Sequence, residues 1–306
     1  MPPLNTCPVL FSILVANYNN GEYLQEAIDS ILAQTYPNWE VILVDDKSND
    51  NSKDIYEQYA SDRRFKVFYN DDNQGCGYTK RRCIELADGE LCGFLDPDDA
   101  LAPQALEIMV QAHSDHPECS LIYSTCYRYS GDKEAEMPVW DLVGEIPSEQ
   151  DMLIYRKRIA GHFASFKKER YDTTVGINPF LKADVDGDLY LLLEEVGNIM
   201  YLPVALYYYR INNSKSISIG DNKAEIRTYH YSLITHLDAI CRRMGGPLFN
   251  RNREEYIHYM RVLLPIYRHS MFFDRKRFTR YLWYYLKAKD YSPKALGHIV
   301  KILNGK

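Results

Sequence analysis

The sequence has no apolar run near the roughly eighteen residues that a membrane-crossing helix requires, which excludes a helical membrane span. Its opening, Met1-Pro2-Pro3, does not read as a signal peptide. Its seven cysteines, at positions 7, 76, 83, 92, 119, 126 and 241, include no C-x-x-C pair. That tells against a zinc site or a disulfide framework and suits reduced thiols in a cytosolic protein. Glycine is scarce where a dinucleotide-binding loop would need it, because Gly21 stands alone in residues 17–21, just after the first apolar run. Acidic residues are scarce in residues 222–306, which hold 17 Lys and Arg against 6 Asp and Glu. The other residues hold 19 against 36, so a strongly acidic region precedes a basic one. An acidic majority repels nucleic acid and excludes it as a partner. With 46% hydrophobic and 25% charged residues the chain is otherwise an ordinary globular protein with ample core.

What is present is an alternation of strand and helix. Residues 9–16 are apolar but for Ser12, as in a strand covered on both faces, and Asn17 to Gly21 is a turn. Residues 22–33 put Leu24, Ala27, Ile28, Ile31 and Leu32 on one helical face. Strands follow at 41–44 and 66–69, helices at 52–60 and 78–87, an apolar run at 91–95, a helix at 103–114 and a strand at 120–127. Strands joined by crossover helices form a parallel α/β sheet, whose ligands sit at the carboxyl ends of the strands.

Three polar clusters occupy those ends: Asn17-Tyr18-Asn19, Asp45-Asp46, and Asp96-Pro97-Asp98-Asp99. In the last, Pro97 stops the strand, and three carboxylates fall within four residues. Like charges that close need water or a cation, and hard oxygen donors suit Mg²⁺ or Mn²⁺ with a phosphate-bearing substrate. An isolated cluster of this kind would be a solvated turn with Asp99 near a helix N-cap. Three at successive strand ends describe a pocket.

The segments SILVANYN (12–19), SILAQTY (30–36), VDDKSND (44–50), NQG (73–75), ADGE (87–90) and FLDPDD (94–99) resemble, in order and spacing, a family 2 glycosyltransferase. The resemblance covers residues 9–218. It implies a GT-A fold, that is, a Rossmann-like, mostly parallel sheet flanked by helices. It further implies a nucleotide-sugar donor, most often UDP-linked, a divalent cation and inversion at the anomeric carbon. On the matching positions it puts Ala16, Tyr18, Asp46, Lys80, Asp96 and Asp98 at the nucleotide, with Asp46 on the uracil and the metal at Asp98 and Asp99, without assigning which of Asp96, Asp98 and Asp99 touches it. A solvated surface lysine is the alternative for Lys80. It also puts the general base at Asp186, with Asp184 or Asp188 as fallbacks. Val185 and Gly187 depart from the family pattern, where a glutamate and an aromatic are usual.

The acids at 184–188 also read simply as the favourable N-terminus of a helix. His162, in a strand expected over 159–167, is either a core histidine or a contact to the acceptor or a phosphate. Asp188, Arg210 and Lys215 are further candidates for diphosphate or acceptor contacts, and Asn212 stands where the family often has a histidine. Residues 131–150 read as a loop. Domain limits are expected at 1–221 for catalysis, divided near 128 into nucleotide and acceptor halves, and at 222–306 for a helical extension. In that extension, helices at 229–244, 253–273 and 275–289 combine basic and aromatic residues. They suit either packing on the catalytic domain, a homodimer, or peripheral contact with the inner face of the cell membrane. The expected function is transfer of a sugar to a hydroxyl of a glycan or lipid-linked saccharide. The alternatives are a catalytically silent nucleotide-sugar binding protein and a sugar-nucleotide pyrophosphorylase, which would need a Gly-rich basic loop that residues 17–21 do not supply.

Overall fold

The computed structural model describes residues 8–129, 143–147, 150–155, 161–211, 222–270 and 273–289. The alternation expected for the first third is present. β1 (Phe11–Asn17), β2 (Trp39–Asp45), β3 (Phe65–Tyr69) and β4 (Leu91–Phe94) are joined through α1 (Leu24–Leu32), α2 (Ser52–Glu57) and α3 (Cys76–Leu86). β1 pairs in parallel with β2 and β4, and β2 with β3. All of β2 is buried, as its apolar run requires. The register sets Asn17 beside Asp45 and Asp45 beside Tyr69, and Leu95 N donates to Leu14 O at 3.0 Å. The polar strand ends therefore finish on one edge of the sheet.

β5 (Ala100–Leu101), α4 (Ala105–Asp115), β6 (Cys119–Tyr129), β7 (Ala164–Lys167), α5 (Lys168–Tyr171), α6 (Val185–Glu194) and β8 (Asn198–Arg210) complete the sheet, in the order β3-β2-β1-β4-β7-β6-β8-β5. β7 runs antiparallel to both β4 and β6, and β5 antiparallel to β8, while β6 and β8 are parallel. The strand expected over 159–167 is shorter than that: His162 precedes it, and 159–160 lie outside the described residues, as do most of 131–150 and the candidate Lys215.

The three C-terminal helices expected from the sequence are present as α7 (Asn222–Arg243), α9 (Arg253–Arg268) and α10 (Arg275–Ala288), with the short α8 (Pro247–Arg251) between the first two. On one face of the sheet, Ile28 and Ile31 of α1 and Leu106 and Met109 of α4 cover Ile13, Val41 and Leu43. On the other, a single apolar cluster runs from Leu14 and Ile42 through Leu189 and Leu193 of α6 to Leu237 and Ile240 of α7 and Met260 and Leu263 of α9. Each such side chain contributes about 1.5–3 kcal/mol when fully buried, so the helical extension shares the core of the sheet.

One buried cation fastens that junction. Arg243, at the end of α7, donates to Glu194 Oε2 (2.8 Å), Leu191 O (3.0 Å) and Tyr256 OH (2.9 Å). Tyr256 OH in turn donates to Asp151 Oδ2 at 2.7 Å. The basic character of the extension is thus partly internal, and Arg243 holds α7 against the helix whose first turn carries Asp186.

Candidate active site

The strand ends, the first turns of α3 and α6, and the start of α7 enclose a cleft of about 390 Å³, a size that suits a small ligand. Ala16 and Tyr18 line it from β1, Asp46 from β2, and Asp96, Asp98 and Asp99 from the turn after β4. Tyr18 is exposed at the rim.

The two acids at the end of β2 divide their work. Asp45 accepts from Ser48 N (2.7 Å), and from Asn17 Nδ2 (3.3 Å) and Tyr56 OH, so it shapes the turn from inside. Asp46 faces the cleft, buried, and accepts from Asn70 Nδ2 (2.7 Å), Gln74 N (2.8 Å) and Gly75 N (2.8 Å). Those three donors hold the 70–75 loop at the cleft floor.

The acidic turn also divides. Asp96 Oδ1 lies 3.0 Å from Lys80 Nζ, and its N–H donates to Tyr207 OH at 3.1 Å. Asp98 lines the cleft. Asp99, expected at the metal, lines the cleft and is also tied to β8. It is buried, and its Oδ1 accepts from Arg210 N at 2.8 Å. Burial, reinforced by Asp98 and Asp96, raises its carboxyl well above the usual range.

Lys80 is not the solvated surface lysine that its residue type suggests. Rooted in α3 and buried, its ammonium lies 2.8 Å from Asp186 Oδ1 as well as 3.0 Å from Asp96, and 4.9 Å over the Phe94 ring. Burial works against its charge, but Asp186 and Asp96 more than offset this and raise its pKa. Burial likewise opposes ionisation of Asp186, yet Lys80 and then His162 hold its carboxyl below the usual range. His162 stacks on Tyr207 with ring centroids 5.1 Å apart, and its Nε2 is 3.9 Å from Asp186 Oδ2. Ligand atoms of Asp96, His162 and Asp186 all lie within 4.8 Å of one another, an oxygen and nitrogen donor set of the kind Mn²⁺ accepts.

Asp186 is brought to the cleft by the first turn of α6. Asp184 precedes that turn with φ 58°, ψ 30°, a left-handed conformation that Asp tolerates better than most residues. Gly187 makes room for it: a Cβ there would fall 2.6 Å from Asp184 Oδ1. The departure from the family pattern at 187 therefore has a local steric reason. Val185 is buried in the core. Asp188 points away from the cleft, accepting from Asn178 N at 2.8 Å with Arg242 3.7 Å off. Gly77, in the first turn of α3, allows the 178–181 segment to approach so closely that a Cβ would sit 2.6 Å from Leu181 O. This contact presses the first turn of α3, which carries Thr79 and Lys80 toward the cleft, against the segment leading to Asp184.

Arg210, expected at a diphosphate, is engaged elsewhere. Its Nε donates to Asp98 O (2.8 Å), its Nη2 to Tyr129 OH (2.7 Å) and to Glu26, and the guanidinium lies 4.6 Å from the Tyr23 ring. It braces the acidic turn against α1. Among the described residues, the cations that line the cleft besides Lys80 are Lys182 and Arg227. Sequence reading missed both: Lys182 stands in no motif, and Arg227 lies beyond the resemblance.

The family model described as Glycosyl transferase family 2 matches residues 12–179. A chondroitin synthase from Escherichia coli is 27% identical over 256 residues, which is 76% of this chain and 36% of that one. Among solved structures, Staphylococcus aureus TarS 1–349 in complex with UDP-GlcNAc superposes with a TM-score of 0.60 at 16% identity, covering 92% of this chain and 91% of that one. A Pyrobaculum calidifontis mannosyltransferase, PcManGT, in complex with GDP-Man and Mn²⁺ also gives 0.60, at 14% identity, covering 99% and 83%. The matches to the first curated relatives span 31–39% of those proteins' lengths. With more than half of its length matched by the family model and the GT-A sheet throughout, the chain belongs to glycosyl transferase family 2.

Proposed function

We propose that the chain transfers a sugar, with inversion, from a nucleotide-diphosphate donor, a UDP-sugar foremost, to a hydroxyl of a glycan or lipid-linked saccharide. The observation that carries this reading is Asp186, an acid paired with Lys80 at 2.8 Å and facing a cleft that the polar strand ends also line. Inverting transfer needs one such carboxylate to take the acceptor proton as the hydroxyl attacks the anomeric carbon from the face opposite the leaving group. Asp186 would hold the attacking hydroxyl by a hydrogen bond and receive its proton. Asp46 and the 70–75 loop that it orders would receive the base, with Ala16 and Tyr18 beside it. Lys182 and Arg227 would meet the charge of the departing diphosphate.

Mg²⁺ or Mn²⁺, when bound, would offset that same charge. Asp98, which lines the cleft, would hold it from the acidic turn, whereas Asp99 Oδ1 already accepts from Arg210 N. No helix among the described residues is long and apolar enough to cross a membrane. The excess of basic residues on α10 supports peripheral contact with an anionic lipid surface on the cytoplasmic side.

The test is calorimetric titration of UDP with and without Mn²⁺, followed by a panel of UDP- and GDP-sugars scored for transfer and slow hydrolysis. Asp186→Asn should keep nucleotide affinity while turnover falls on the order of 10²–10⁴-fold. Nucleotide binding without turnover of any donor by the unmodified chain would instead favour a silent binding protein.

A further inference from the structure

A buried lysine whose ammonium bridges two carboxylates is an unusual occupant for a cleft expected to take a metal. Asp96, His162 and Asp186 present three ligand atoms within 4.8 Å of one another, the spacing of donors around one cation. Lys80 Nζ lies 3.0 Å from the first carboxylate and 2.8 Å from the third. It therefore stands where an ion shared by those oxygens would stand. A divalent ion admitted there would face an ammonium competing for the same oxygens, and two cations that close repel strongly away from bulk water. A lysine is suited to the place because its charge is compact, whereas a planar guanidinium would need a wider gap. His162, stacked on Tyr207 and Tyr209, keeps Nε2 3.9 Å from Asp186, close enough to complete a coordination shell once the ammonium is gone.

We propose that Lys80 is a resident cation that closes the Asp96–His162–Asp186 centre to divalent metal and ties the donor-side carboxylate to the base as a positioning residue. The ion that accompanies the donor is then confined to the outer side of the acidic turn, at Asp98. The roles given to Asp96 and Asp186 rest on the glycosyl-transfer reading, but the closure of the centre can be measured without turnover, so the two can fail separately.

The experiment is Mn²⁺ binding to the untagged chain without nucleotide. Electron paramagnetic resonance of free Mn²⁺ gives affinity, and the nitrogen-14 coupling in pulsed spectra reports an imidazole directly on the metal. The unmodified chain should show no imidazole-coupled Mn²⁺. Lys80→Met keeps the aliphatic stem and removes the charge. It should gain one imidazole-coupled site, at least about tenfold tighter than anything in the parent at that centre. Adding His162→Ala should abolish the coupling. Mn²⁺ should raise the melting temperature of Lys80→Met and leave that of the parent unchanged. Imidazole-coupled Mn²⁺ in the parent with the variant's affinity, or a folded Lys80→Met with no gain, overturns the proposal. Should Lys80→Met not fold, the parent spectrum at millimolar Mn²⁺ decides alone: coupling overturns the proposal and its absence supports it.

Discussion

Replacing Arg243 by methionine is the most informative single perturbation of the junction between sheet and helical extension. The side chain is 1% exposed and has Glu194 at 2.8 Å, Glu195 at 3.4 Å and Asp151 at 3.6 Å. Methionine fills much of the volume but leaves buried acids without their cation. Breaking a buried pair by removing one partner costs about 3–5 kcal/mol, and for a chain of this size each kcal/mol lowers the melting temperature by about 2 °C. The expected loss is therefore about 6–10 °C by scanning fluorimetry near pH 8. Burial already raises the Glu194 carboxyl with Arg243 in place. Without the guanidinium it rises further, and the folded chain then takes up a proton that the unfolded chain does not. Stability of the variant must fall as pH rises, so the deficit should shrink near pH 5.5. Adding Glu194→Gln should recover part of the loss at pH 8. A deficit under about 2 °C, or one equal at both pH values, would refute the idea that Arg243 neutralises this cluster.

Three other outcomes are expected. Burial pushes the Asp184 carboxyl up to about 7, so the folded chain holds a proton that the unfolded chain releases between about pH 4 and 7. Stability from this group falls as pH rises through that window, by at most about 4 kcal/mol. Asp184→Asn should flatten the pH dependence of the urea midpoint, and an unchanged slope would rule the group out. Lys182→Ala and Arg227→Ala should each raise the KM for the sugar-nucleotide by about tenfold or more while nucleoside binding changes little; equal losses with uridine and UDP would place them elsewhere than at the diphosphate. α10 holds five basic residues and no acid, and Lys276→Glu with Lys287→Glu should weaken sedimentation with anionic vesicles by about tenfold. Binding indifferent to these charges and to salt would leave α10 without a lipid role.

The sheet and the polar edge were legible because continuous apolar runs and the turns that end them are local properties. So were the C-terminal helices, read from their local composition. What stayed hidden depends on contacts between distant segments. Asp45 and Asp46 are adjacent and chemically alike, and only the seating of Tyr56 and the 70–75 loop gives one to the turn and the other to the cleft. Arg210 read as a phosphate cation because nothing in its neighbourhood announces Glu26, 184 positions away. Lys80 was expected at the nucleotide, but its pairing with Asp96 and Asp186, the latter 106 positions on, could not be read from its neighbours in sequence. Gly187 read as a departure until Asp184 was seen to fill the space a side chain would take.

The insertion of β7 between β4 and β6 bears on how the molecule is made. Residues 164–167 supply the second neighbour of β4, whose Leu91, Cys92 and Phe94 are all buried. While the chain emerges from the ribosome, β4 is a bare and sticky edge until that late strand arrives. The first 128 residues, though contiguous in sequence, therefore complete their sheet only with help from a strand that follows them. A fragment cut near residue 128 is expected to self-associate through β4, and slowing synthesis between 128 and 164 should lower the yield of native chain.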